Sequence, residues 1–114
     1  MISIDALNRF GADTKEGIER CMGNEALYLR LVDMALEDNG FNTLAEAIER
    51  DDKKVAFEAV HALKGALGNL ALTPMYESAS EITELLRANQ EADYKALLAR
   101  LLAQRDELIA LKDQ

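Results

Sequence analysis

The one histidine of the chain, His61, lies in the run Val60-His61-Ala62-Leu63-Lys64-Gly65-Ala66-Leu67-Gly68-Asn69, where apolar residues recur at helical spacing. On a helix that advances about 100° per residue, with His61 set at zero, Lys64 falls at about −60°, Gly65 at about +40°, Gly68 at about −20° and Lys54 at about +20°. The opposite half collects Ala56, Ala59, Val60, Leu63, Ala66, Leu67 and Leu70. An amphipathic helix buries that half. The pattern therefore predicts an imidazole in water, beside an ammonium and two residues that lack a side chain.

A glycine inside a helix costs about 1 kcal/mol relative to alanine. Two of them on the histidine's own face set local propensity against the element, and such conflicts mark functional sites. What they give is clearance, both for a bulky group on the imidazole and for the backbone of a partner. Lys64 adds a flexible cation that can meet a phosphate. An exposed ring nitrogen, an adjacent ammonium and open space suit nucleophilic acceptance of a phosphoryl group. Taken singly, these residues have plainer readings: a surface histidine, a solvated lysine, glycines that let helices approach. The last fits poorly, because packing glycines belong on the buried face. Phe57, at about −40°, is either an exposed docking aromatic or half-buried against a neighbouring helix. Leu72, at about +20°, and Lys54 stand with it as candidate partner contacts, and Asn69, at about +80°, either donates to a phosphate or faces water.

These residues resemble the histidine-containing phosphotransfer domains of multistep two-component signalling. His61, Leu63, Lys64, Gly65, Gly68 and Leu72 follow that family's H-x-L-K-G-x-x-x-x-x-G-x pattern, with Ala71 where many members have a second glycine and with Gly68 matching only a subset of them. The resemblance extends to the order of helices, and so to nearly the whole chain. It implies that His61 is nucleophile and carrier, attacking through Nε2 a phosphoryl group held on a receiver aspartate with Mg²⁺. Lys64 would stabilise phosphate charge, and Gly65 with Gly68 would give steric access. The receiver would supply the metal and most of the catalysis, leaving this chain without a cofactor and without autonomous enzymatic activity. Transfer in either direction uses one geometry, so phosphate would pass reversibly between two aspartates. Neutral imidazole is the nucleophilic form, and imidazole is largely neutral at pH 7 without a dedicated base. The implied partners are a response-regulator receiver domain, a hybrid histidine kinase, or both.

Length and charge narrow the class further. The 114 residues suffice for a single domain, 1–114, with one core and no length for an ATP-binding catalytic domain. A complete histidine kinase is thereby excluded. Initial Met1 favours a free-standing protein over a piece excised from a hybrid kinase. Apolar residues make up 49%, charged ones 30% and aromatics 5%, with no Trp, which is the makeup of packed helices. A net charge of −8 argues against nucleic acid and against anionic membranes. No run approaches the ~20 apolar residues of a membrane span, and Met1-Ile2-Ser3-Ile4-Asp5 is no signal peptide, so the expected location is the cytoplasm. Cys21, the only cysteine, fits a reducing compartment. One histidine and one distant cysteine make no metal shell.

The elements that must hold His61 follow from punctuation. Short helices are expected over Ser3 to Phe10, closed by Gly11, and Thr14 to Met22, closed by Gly23. A third is expected from an Asn24 cap to Asp38. Thr43-Leu44-Ala45-Glu46 reads as a capping box that opens a fourth, running to Arg50. Asp51 and Asp52 cap the His61 helix, which extends to Leu72; Thr73-Pro74 starts a helix to Asn89. The last and longest, Glu91 to Lys112, carries Tyr94, Leu97, Leu98, Leu101, Leu102, Leu108 and Ile109 on a broad apolar stripe. Arg105 interrupts that stripe, which favours a core over a dimer seam and a monomer over a coiled coil. Short connections force antiparallel neighbours. The expected fold is all-α, an up-down-up-down four-helix bundle with short N-terminal helices packed across it. The same bundle would also suit a helical adaptor that is never phosphorylated.

Overall fold

Seven helices and no strand make up the described residues, 2–112, of the computed structural model. They are α1 (Ile4–Phe10), α2 (Thr14–Arg20), α3 (Glu25–Leu36), α4 (Gly40–Glu49), α5 (Lys53–Asn69), α6 (Thr73–Arg87) and α7 (Tyr94–Ala110). Polar caps start most of them. Ser3, Asp13, Asn24, Asp52 and Asp93 each accept a backbone N–H from three residues on, satisfying donors that the first helical turn leaves free.

The expected capping box at Thr43 is not used. Helix α4 begins at Gly40, whose N–H donates to the Asp38 carboxylate at 2.6 Å, and the Thr43 hydroxyl donates back to the Asn39 carbonyl. The early start lets Phe41 enter the core, where it is fully buried. Burial of a large aromatic outweighs one capping bond.

Helix ends share one device. After α1, α2, α4, α5 and α6 the chain passes through a left-handed residue, namely Gly11, Met22, Asp51, Ala71 and Asn89. In each case the following N–H bonds a carbonyl five residues back, as Leu72 does to Leu67 at 3.0 Å. Three expectations change here. Helix α2 is closed by Met22, with Gly23 only following it; Asp51 ends α4 while Asp52 alone caps α5; and α5 stops at Asn69, short of Leu72. Helix α6 also starts one residue earlier than expected, with Leu72 as the flanking residue and Pro74 inside the first turn. At 17 residues α7 equals α5 and does not exceed it.

Helix α5 packs between α4 and α6, and α7 lies against both α6 and α4. Their shared interior holds Phe41, Leu44, Val60, Leu63, Leu67, Met75, Ala79, Ile82, Leu101 and Leu108, joined by Tyr28 and Val32 of α3. On α7 only Leu101 and Leu108 are fully buried, while Ile109 is exposed. Arg105 lays its guanidinium 5.2 Å from the centre of the Phe41 ring.

The N-terminal helices are tied to the turn between α5 and α6. The Asp13 N–H donates to the Ala71 carbonyl at 2.9 Å, and the buried Tyr28 hydroxyl donates to the Leu70 carbonyl at 2.8 Å. Gly17 makes room for that tyrosine, since a Cβ there would lie 2.9 Å from its hydroxyl oxygen and closer still to the ring. These contacts fix α2 beside the C-terminal half of α5.

Candidate functional site

Helix α5 buries Ala56, Val60, Leu63 and Leu67 and leaves His61 exposed, as the apolar arc requires. The imidazole opens onto a cleft of about 520 Å³. Lys64, Gly65, Gly68 and Asn69 of α5 line the same cleft. Its far walls come from Tyr76 and Thr73 of α6, and from Glu16 and Arg20 of α2.

The two glycines differ in their surroundings. Nothing lies within 4 Å of a Cβ built at Gly65, so this position is open space beside His61. A Cβ at Gly68 would instead stand 2.9 Å from the Tyr76 ring. Gly68 thus admits an aromatic from α6 while lining the His61 cleft, and Gly65 is the glycine with open space around it. Helix angle placed Gly68 on the right face, yet it carried no information about what α6 brings to that face.

Lys64 is half-buried, with its ammonium 3.9 Å from the Glu84 carboxylate of α6, which also pairs with Arg87 at 3.3 Å. Asn69 is exposed and accepts a long bond, 3.5 Å, from Arg20. The Arg20 guanidinium is held more closely by Glu16, at 2.7 Å. Neither Arg20 nor Glu16 was identifiable from sequence, because an i, i+4 ion pair on a short helix reads as a solvated surface. The Asp13–Ala71 and Tyr28–Leu70 bonds hold that surface at the His61 cleft.

On the other side of the imidazole, Phe57 stacks on His61 with ring centres 5.5 Å apart and planes 24° from parallel. It is half-buried, and Arg87 of α6 covers it at 5.6 Å. Phe57 thus packs in part against a neighbouring helix and keeps part of its surface exposed beside His61. Lys54 is exposed beside it, in a second shallow groove with Lys53, Phe57, Leu86 and Arg87.

Leu72 does not belong to this surface. It is 0% exposed, packed in the core between α5 and α6. The angle of about +20° was counted along a helix that has already ended, so the 100° step no longer applied. Ala71 shows why: with φ of +54° it has left the helix, in a conformation that costs an L-residue roughly 1 kcal/mol and glycine nothing. It is also the position where the resembling family often carries glycine.

No helix among the described residues is long and apolar enough to cross a membrane. Neither the search of curated proteins nor that of solved structures returned a match. The model of the Hpt domain matches residues 28–114, which contain α4 to α7 and the whole His61 run. The chain therefore belongs to the Hpt domain family, the histidine-containing phosphotransfer modules of two-component phosphorelay signalling.

Proposed function

We propose that His61 accepts a phosphoryl group from a receiver-domain aspartate and returns it to a second one, as one step of a multistep relay. The observation that carries this reading is the exposed imidazole at the mouth of a cleft that holds Lys64 and the bare Gly65. The His61 nitrogen attacks phosphorus in line, an N–P bond forms, and the aspartate carboxylate leaves with the electrons of the broken P–O bond. Lys64 leaves Glu84, an exposed partner at 3.9 Å, to meet the phosphoryl oxygens. The receiver contributes Mg²⁺ and the catalytic groups, and this chain contributes the acceptor, so it has no turnover on its own.

In this reading residues 1–114 are one domain, and α4 to α7 run up-down-up-down. The short connections 50–52, 70–72 and 88–93 and the packing of α7 against α4 support that course. Phe57, Lys54 and Asn69 form the edge that a receiver or hybrid kinase touches, and the working form is a cytoplasmic monomer.

The test is transfer from a receiver charged with acetyl phosphate, read by intact mass, with His61→Gln beside wild type. Gain of one acid-labile phosphate by the wild type and none by the variant is the expected result. A correctly folded wild type that stays uncharged across a broad receiver panel would move the assignment to a helical adaptor, for which His61→Gln leaves partner binding intact.

A further inference from the structure

We infer that Arg20 is a phosphate-binding residue of the phosphorylated protein, held by Glu16 while His61 is free and turning onto the phosphoryl oxygens once His61 carries the group. The inference rests on the reading of His61 as acceptor. It concerns helix α2, which precedes the matched residues 28–114 and is brought to the site by this chain's own packing.

Three observations carry it. First, Arg20 and Glu16 line the same cleft as His61 and Lys64, so the guanidinium and the imidazole share one solvent volume. Second, α2 is held beside that cleft: the Asp13–Ala71 bond fastens its N-terminus, and Gly17 seats its middle on the ring of Tyr28, which α3 ties to Leu70. Third, the guanidinium is only lightly committed. One nitrogen bonds the half-exposed Glu16 carboxylate at 2.7 Å, and the other reaches Asn69 Oδ1 at the long distance of 3.5 Å. Exposed pairs of this kind are weak.

Phosphorylation changes the balance in that cleft. A phosphoryl group brings a charge of about −1.5 to −2 and three acceptor oxygens. It repels Glu16 and offers Arg20 a partner whose two oxygens match the planar fork of the guanidinium. Both cations of the cleft thus rest on carboxylates in the free protein, Lys64 on Glu84 and Arg20 on Glu16. Both become available to one dianion. Arg20 makes and breaks no covalent bond in the transfer; the N–P bond forms as the acyl-phosphate P–O bond breaks, and Arg20 lowers the free energy of the product.

The experiment charges wild type, Arg20→Ala, Arg20→Lys and Glu16→Gln from one phosphorylated receiver and measures two quantities. One is the equilibrium ratio of phospho-His61 to phospho-aspartate by intact mass. The other is the pH titration of the phosphohistidine ³¹P resonance. Arg20→Ala is expected to lower the ratio by about 2–5-fold, the range of one exposed charge pair. Its ³¹P titration should move to higher pH, because a cation that favours the dianion has been removed. Arg20→Lys should restore part of both effects, and Glu16→Gln should shift both the opposite way. A merely structural arginine would leave the titration midpoint unmoved. Wild type that charges normally, with Arg20→Ala matching it in ratio and midpoint, overturns this inference alone. A wild type that takes no phosphate overturns it together with the assignment of His61.

Discussion

Gly65 and Gly68, three residues apart on one helix face, show how much a residue's role depends on what other elements bring to it. Both carry the helix penalty of glycine, about 1 kcal/mol against alanine. At Gly65 that penalty has no packing counterpart, because a methyl group would meet nothing within 4 Å. At Gly68 the methyl would stand 2.9 Å from the Tyr76 ring. Gly65→Ala is therefore expected to stabilise the protein by about 0.5–1 kcal/mol in thermal or urea denaturation. Gly68→Ala should gain nothing or lose stability, because the ring must be displaced to admit the methyl. Equal stabilisation by both substitutions would mean that Tyr76 places no constraint on Gly68. Open space kept at Gly65 against helix propensity is the residue-level mark of a surface reserved for something outside the chain.

Among the elements, α3 helps to hold the site through a single side chain. Tyr28 is fully buried, its hydroxyl bonds the Leu70 carbonyl, and its ring fills the space left by Gly17. Burial, reinforced by the nearby Cys21 and Asp13, pushes its phenol from 10.0 up to about 12. Between those values the folded chain keeps a proton that the unfolded chain has lost, so stability falls as pH rises. The contribution is complete below pH 10 and is lost as pH passes through about 12. Urea midpoints of wild type and Tyr28→Phe should converge over that window, after differing at pH 7 by about 1 kcal/mol for the lost hydrogen bond. A constant difference from pH 7 to 12 would remove Tyr28 as the source. This linkage could not be read from the chain, because nothing at Tyr28 or Gly17 tells that they meet. What was legible were the periodic faces and two caps: the α5 arc, Asn24, Asp52, and the exposure of His61. What was not legible depended on where a helix stops or on what crosses to it. Leu72 was misplaced by counting past Asn69, the Thr43 box lost to the burial of Phe41, and Gly68 was read without Tyr76.

Over the whole molecule, charge is distributed against its own sum. The chain carries −8 net, yet Lys53, Lys54 and Arg87 line the groove beside Phe57 against one carboxylate, Glu58, and Lys64 and Arg20 line the adjoining cleft against Glu16. Four of these cations rest on carboxylates, Lys53 on Glu91, Lys64 and Arg87 on Glu84 and Arg20 on Glu16, so among the described residues Lys54 is the cation of this face that an anionic acyl phosphate meets unpaired. At 0.1 M salt the Debye length is about 10 Å, so charges on the far side are screened while those around the docking groove still act. Lys54 isolates this effect, because it is exposed, lines the groove with Phe57 and does not line the His61 cleft. Lys54→Glu should lower the second-order rate of transfer from a phosphorylated receiver by about 3–10-fold at low ionic strength. Raising the salt should close the gap between variant and wild type, because steering acts on encounter and fades with screening. Measuring transfer at sub-saturating protein across a salt series separates the two possibilities. A gap that persists unchanged at high salt would make Lys54 a direct contact in the bound complex, and equal rates at every salt would move the docking face away from this groove.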